Sequence, residues 1–252
     1  SFTEKQKSDL IDRANRLKTL RCPIINSFIH FWINSDSTKL CYITESVWTN
    51  SIYKNISENF GEIRSKVIAR WFMPVLEAIN YLHSQNPPII HNKIILSSMF
   101  IKPSTGAVKI IPPVLLTSRT INSSNMFKLR PTTPPDFLFK KEGPYSDIWS
   151  FGLALLFVFT KIEPYAECKS PMELVKKLSI YEPPESIKLV TDKLASSLIS
   201  SCLKPPQERP TASQLFKHPF FTQNFDQNNK ISNSQDDSFV VIFPGKPKPN
   251  ET

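Results

Sequence analysis

The sequence predicts an α+β domain with a mainly helical body, and three observations carry that prediction. Apolar residues recur at helical spacing from Glu62 to Ser84, where Ile63, Val67, Ile68, Trp71, Phe72, Val75, Leu76, Ile79 and Leu82 share one face. The run from Phe151 to Phe159 is apolar on every side, as in a helix buried all round, and is far too short to span a bilayer. Two pairs of short apolar runs flank turn-forming segments, the pattern of β-hairpins.

In chain order, residues 4–20 place Leu10, Ile11, Ala14, Leu17 and Leu20 on one helical face, and Cys22-Pro23 stops that helix. Phe28 to Ile33 and Leu40 to Thr44, joined by Asn34-Ser35-Asp36-Ser37, read as a hairpin. Pro74 lies inside the long helix, so a local kink is expected there. Met99 to Lys102 and Ala107 to Ile111 flank the turn Pro103-Ser104-Thr105-Gly106. Pro112-Pro113 must end the second of those strands, because neither proline can donate to a ladder. Residues 114–135 read as irregular, and Asp147 to Phe159 as the buried helix. Three amphipathic helices follow. Ser170-Pro171-Met172-Glu173 is a capping box, Thr191 opens the next helix with Leu194, Leu198, Ile199 and Cys202 on one face, and Thr211 to Gln214 repeats the box. Beyond Phe221 the composition turns polar and proline-rich, interrupted by the apolar island Phe239 to Phe243.

At 252 residues the chain suits one sizeable domain or two lobes. Its 22 prolines against 5 glycines point to pre-set turns, few positive-φ positions and no glycine-rich phosphate loop. The formal charge of +9 is spread along the chain without an arginine-rich run, so nucleic acid is not the expected partner. Cys22, Cys41, Cys168 and Cys202 lie far apart with no C-x-x-C pair, which argues against a zinc site and a disulfide scaffold. A reducing, cytoplasmic compartment is the expectation.

The chemistry centres on His91-Asn92-Lys93, with Ser98 five residues after Lys93 and Pro112-Pro113-Val114 closing the following strand. Around it stand Leu82-His83-Ser84, Pro134-Pro135-Asp136, Asp147-Ile148-Trp149-Ser150-Phe151-Gly152, and Glu208-Arg209-Pro210 before His218-Pro219-Phe220-Phe221. In this order the motifs resemble those of protein kinases, whose loop reads His-Arg-Asp with an Asn five residues on, followed later by Asp-Phe-Gly. Asn86-Pro87-Pro88-Ile89-Ile90-His91 and Glu163-Pro164-Tyr165-Ala166-Glu167-Cys168 are similar to the with-no-lysine (WNK) kinases and the nuclear-receptor-binding-protein pseudokinases. The resemblance implies a protein-kinase-like fold with a mainly helical C-lobe and a partial N-lobe. Residues 1–46 would be the partial N-lobe (αC helix, β-hairpin, hinge), 47–222 the C-lobe, and 223–252 a disordered tail. The glycine-rich loop and ATP-binding lysine of that family would lie before Ser1.

By the same resemblance Lys93 takes the place of the catalytic base, Ser98 that of the metal-binding Asn, and Pro112 that of the metal-binding Asp. Arg13, ten residues before Pro23, takes that of the αC glutamate. A lysine ammonium has no lone pair to accept a proton, and a lost base costs about 10²–10⁴ in rate. Thr44, Glu45 and Phe100 would line a nucleotide-pocket remnant, although as core and hinge residues they would be there regardless, and that plainer reading is the favoured one. His91, Asp136, Asp147 and Arg209 keep structural roles, with Asp136 and Arg209 as an ion pair. The expectation is a catalytically inactive scaffold, not an enzyme, without metal, ATP or magnesium, that binds protein partners. The alternatives are a divergent Ser/Thr kinase and a nucleotide sensor without transfer. Partner surfaces would be the Ser170-to-Leu178 helix and the tail island. Ser118, Thr120, Ser123, Ser124, Thr132 and Thr133 are phosphorylation candidates.

Overall fold

The computed structural model describes residues 2–36, 40–46, 48, 50–58, 61–113, 131–139 and 141–224. Ser118, Thr120, Ser123, Ser124, the island Phe239 to Phe243 and nearly all of the expected tail lie outside them. The chain opens with helix α1, Glu4–Lys18, held at its start by a reciprocal pair: Thr3 Oγ1 accepts from Gln6 N, and Gln6 Oε1 from Thr3 N. Strands β1, Phe28–Ile33, and β2, Leu40–Thr44, form an antiparallel hairpin with an irregularity between Phe28 and His30. The short helix α2, Ile52–Glu58, comes next. Its seven residues are too few for a periodic signal, and it goes unpredicted.

Helix α3, Ser65–His83, runs through Pro74 without a break. Strands β3, Met99–Ile101, and β4, Val108–Ile110, pair antiparallel, with Phe100 opposite Lys109. Helices α4, Pro144–Thr160, α5, Pro171–Ser179, α6, Lys193–Cys202, α7, Ala212–Leu215, and α8, Pro219–Asn224, complete the body. Every residue of α4 from Ser146 to Val158 is buried, as its sequence predicts. No helix of the described residues is long and apolar enough to cross a membrane.

Two apolar clusters organise the packing. The larger surrounds α3 and α4 and joins α6 to α8, with Phe72 edge-on to Phe151 at 5.5 Å. Gly152 lets α4 press against α6: an added Cβ would meet Cys202 Cβ at 2.6 Å. The smaller cluster, Leu10, Ala14, Leu17 and Phe28, holds α1 on the hairpin. The two halves are stitched where Asn26 N donates to Ile110 O at 2.9 Å and Ile110 N to Ile24 O at 2.8 Å.

Some local expectations are revised. The cap of α6 is Asp192, not Thr191, because its carboxylate accepts from Leu194 N at 2.8 Å and Ala195 N at 3.0 Å. At α5, Ser170 accepts from Glu173 N, but Glu173 reaches back to Lys169 N instead of the cap residue. Scarce glycine does not spare the chain left-handed positions. Asn92, Lys161, Tyr165 and Tyr181 all have φ between 56° and 60°. Packing and hydrogen bonds hold several of them: Lys161 Nζ donates to Gly61 O, Tyr165 Oη to Glu182 O, and Tyr181 stacks on Phe139.

Candidate active site

The loop after α3 is tied back to the helix where Ile89 N donates to Leu82 O at 2.9 Å. Asp147, in the first turn of α4, then grips it. Its carboxylate accepts from His91 N at 2.7 Å, Asn92 N at 2.8 Å and His83 Nε2 at 3.0 Å. A carboxylate that accepts two adjacent amides holds the backbone in one conformation, and Asn92 reverses the chain there at φ 60°.

His91 is buried, with Nε2 donating to Ile111 O at 2.9 Å and Nδ1 accepting from Lys93 N at 3.2 Å. Those partners fix the neutral tautomer, and burial pushes its pKa down. The contact to Ile111 also ties the loop to the residue just before Pro112. Lys93 is exposed, while its carbonyl accepts from Ser98 Oγ at 2.7 Å, a hydroxyl also 3.0 Å from Ile95 O. Ser98 is thus turned into the loop. Both amide atoms of Asn92 are buried without a partner, beside a hollow of about 50 Å³ shared with Lys93, Thr132 and Ser150. Pro112 is buried and borders a cavity of about 390 Å³ with Leu17, Leu20 and Phe28. The structure brings Lys93, Ser98 and Pro112 to one loop system. Arg13 is on the exposed face of α1. Of the phosphorylation candidates, Thr132 is half-buried and Thr133 buried.

Thr44 ends β2, Glu45 follows it, and Phe100 lies in β3 opposite Lys109, whose side chain reaches Glu45. Glu45 N donates to Ser27 O at 3.0 Å, and Glu45 O accepts from Thr44 Oγ1 at 3.1 Å and Asn26 Nδ2 at 3.4 Å. The Glu45 carboxylate accepts from Ser27 Oγ at 3.0 Å and from Lys109 Nζ. The Lys109 ammonium holds its pKa below the ordinary carboxylate value. Lys109 escapes the sequence reading, although strand alternation was a usable signal: it is paired with Phe100 and shares its sheet face.

Below the loop, Arg209 Nη1 donates to Asp136 Oδ2 at 3.0 Å with both side chains fully buried, and to Tyr145 O at 2.6 Å. Ser146 Oγ adds a bond to the same carboxylate oxygen, and the guanidinium lies 5.1 Å from the Trp149 ring centre.

An α-helical body gripping a His-led loop, fed by a strand pair and a hinge, defines the protein-kinase class. The chain belongs to the protein kinase domain family, which it matches over residues 1–221. It is 29% identical over 245 residues to the serine/threonine-protein kinase WNK8 of Arabidopsis thaliana, covering 95% of this chain and 42% of that protein. It is 30% identical over 224 residues to the serine/threonine-protein kinase pkpA of Phycomyces blakesleeanus, covering 86% of this chain and 35% of that one. The chain therefore spans less than half the length of either relative. A crystal structure of Rad53 1-466 in complex with AMP-PNP shares the fold, with a TM-score of 0.71 and 19% identity, over 87% of this chain and 56% of that one.

These relatives correct two expectations. The sequence reading places the chain outside the enzymes, whereas the similar proteins are named serine/threonine-protein kinases. That reading also excludes ATP and magnesium, whereas the family is one of kinases and its solved neighbour holds AMP-PNP. Three substituted side chains dominate a local reading, while phosphoryl transfer depends on positioning and charge stabilisation spread over a whole site. At the positions that the resemblance aligns with the metal ligands, the Pro112 side chain has no oxygen, and Ser98 offers one neutral hydroxyl turned toward the Lys93 and Ile95 carbonyls. These residues do not fit a magnesium ion as the family's Asp and Asn do. Among the described residues no three His, Cys, Asp or Glu side chains cluster to hold a metal.

Proposed function

We propose that the chain is the hinge and C-lobe part of a divergent serine/threonine protein kinase related to the WNK group, binding a nucleoside triphosphate at Thr44, Glu45 and Phe100. The observation that carries this is the grip of Asp147 on His91 and Asn92, which builds the catalytic loop although its side chains differ. Nucleotide supplies the phosphoryl group when bound. The chain's own part is to orient and to balance charge. Lys93 is exposed at the loop, and its N–H donors suit the oxygens of a phosphoryl group in flight. It cannot take the acceptor's proton, which passes to solvent, so a rate about 10²–10⁴ below that of a base-equipped loop is expected. The protein partner is then the phosphoacceptor. Its side chains have a hollow of about 230 Å³ beside the loop, between Tyr53, Ile95, Ser97, Leu153, Phe157 and Glu163.

Labelled γ-phosphate transfer to serine- and threonine-containing protein tests the reading. Slow incorporation that is lost in Lys93→Ala supports it. A second reading, a nucleotide sensor without transfer, is favoured by the substitution of both metal-binding positions. Nucleotide-dependent thermal stabilisation without incorporation selects that one, and neither signal retires both.

A further inference from the structure

We propose that the small hollow beside Asn92 and Lys93 is a receptor for a phosphoryl group carried on Thr132, and that filling it closes the loop to an acceptor protein. The closing rests on the transfer reading above; the receptor does not.

Thr132 borders both hollows beside the loop, the one of about 50 Å³ and the one of about 230 Å³. It is half-buried, and its hydroxyl has no hydrogen bond among the described residues. Thr133 also lines the smaller hollow but is buried. When another protein kinase modifies Thr132, a bond forms from its Oγ1 to the γ-phosphorus of a nucleoside triphosphate. The bridging bond from that phosphorus to the β-phosphate breaks, and the hydroxyl proton passes to the modifying kinase's base. The product carries about two negative charges and strong acceptor oxygens.

The two hollows offer that dianion different surroundings. The larger is lined by Glu163, whose carboxylate repels it. The smaller is lined by Lys93 and Asn92 and by no acid. Lys93 is exposed and has no carboxylate partner among the described residues, so its N–H donors are open to phosphate oxygens. Asn92 Nδ2 is a further donor, buried without a partner. The Asn92 amide is held by Asp147, which fixes this wall of the receptor before any phosphate arrives. Once paired with the phosphate on Thr132, the Lys93 ammonium is withdrawn from a phosphoryl group in flight. The modified side chain then stands at the edge of the hollow proposed for the acceptor.

Phosphorus NMR across pH tests the receptor, on the whole chain made with phosphothreonine in place of Thr132. A free phosphothreonine takes up its second charge at about pH 6. Held by Lys93, the group should be about tenfold more acidic, and Lys93→Ala should return it to the ordinary value. Phosphothreonine in place of the exposed Thr222 supplies the reference. An unshifted titration, a shift that survives Lys93→Ala, or a modified chain that no longer folds overturns the receptor. Labelled γ-phosphate transfer then tests the closing. Incorporation about tenfold or more below that of the unmodified chain supports it, and an equal rate overturns it. If the unmodified chain transfers nothing, the transfer reading falls and the closing with it, while the NMR titration still decides the receptor.

Discussion

Arg209 illustrates how much one side chain carries. Its side chain is buried completely against Asp136, Nη1 also donates to the Tyr145 carbonyl and Nε to the Lys204 carbonyl, while Nη2 is buried without a partner. Arg209→Ala leaves a buried carboxylate unpaired, and a loss of about 3–5 kcal/mol is expected in denaturant unfolding. A midpoint that hardly moves would contradict it. His91 makes a second residue-scale prediction. Burial lowers its pKa, and burial does the same for His218. Below pH 6.5 the unfolded chain then holds more protons than the folded one, so stability is full above that pH and falls as pH drops through it. Melting temperatures from pH 7.5 to 5.5 should decline, and less steeply in His218→Gln. Glu45, Glu167 and Asp192 have lowered carboxyl pKa values and act only at more acid pH.

Helices α4 and α6 show the trade between propensity and packing. Gly152→Ala gains about 1 kcal/mol of helix propensity. Yet the new methyl meets Cys202 Cβ at 2.6 Å, an atom fixed to the backbone of α6. Overpacking of that kind costs about 1–3 kcal/mol, so a net loss of stability is expected, and a raised unfolding midpoint would show that α6 can yield. Elements with periodic apolar patterns were legible. Both hairpin strands, Phe28–Ile33 and Leu40–Thr44, end where alternation and turn residues put them. α2 was not, since one and a half turns leave no period to detect. Thr191 and Asp192 are both good caps, and only the direction of the incoming chain chooses between them. At the site, the motifs that mark the protein kinase family are read directly from the residues. Lys109 is not, because its partner Glu45 is 64 positions away and only the strand register brings them together.

Across the whole molecule, cohesion is uneven. The cluster around α3 and α4 is extensive, while α1 and the hairpin rest on Leu10, Ala14, Leu17 and Phe28. Local opening follows local burial. Native-state hydrogen exchange should show β1 and β2 amides opening at lower free energy than those of α3 and α4. Equal protection throughout would mean that the stitch of Asn26 and Ile110 welds both parts into one cooperative unit.

Asp147 has one further consequence. A single carboxylate serves donors from the end of α3 and from two successive loop residues. The tolerance of any of these positions to change is therefore conditional on the others. A replacement at His83 that is neutral beside Asp147 becomes meaningless once Asp147 is lost, because the two no longer have separate effects to add. The loop's mutational history is written in combinations, and reading it one site at a time would mistake a shared constraint for three independent ones.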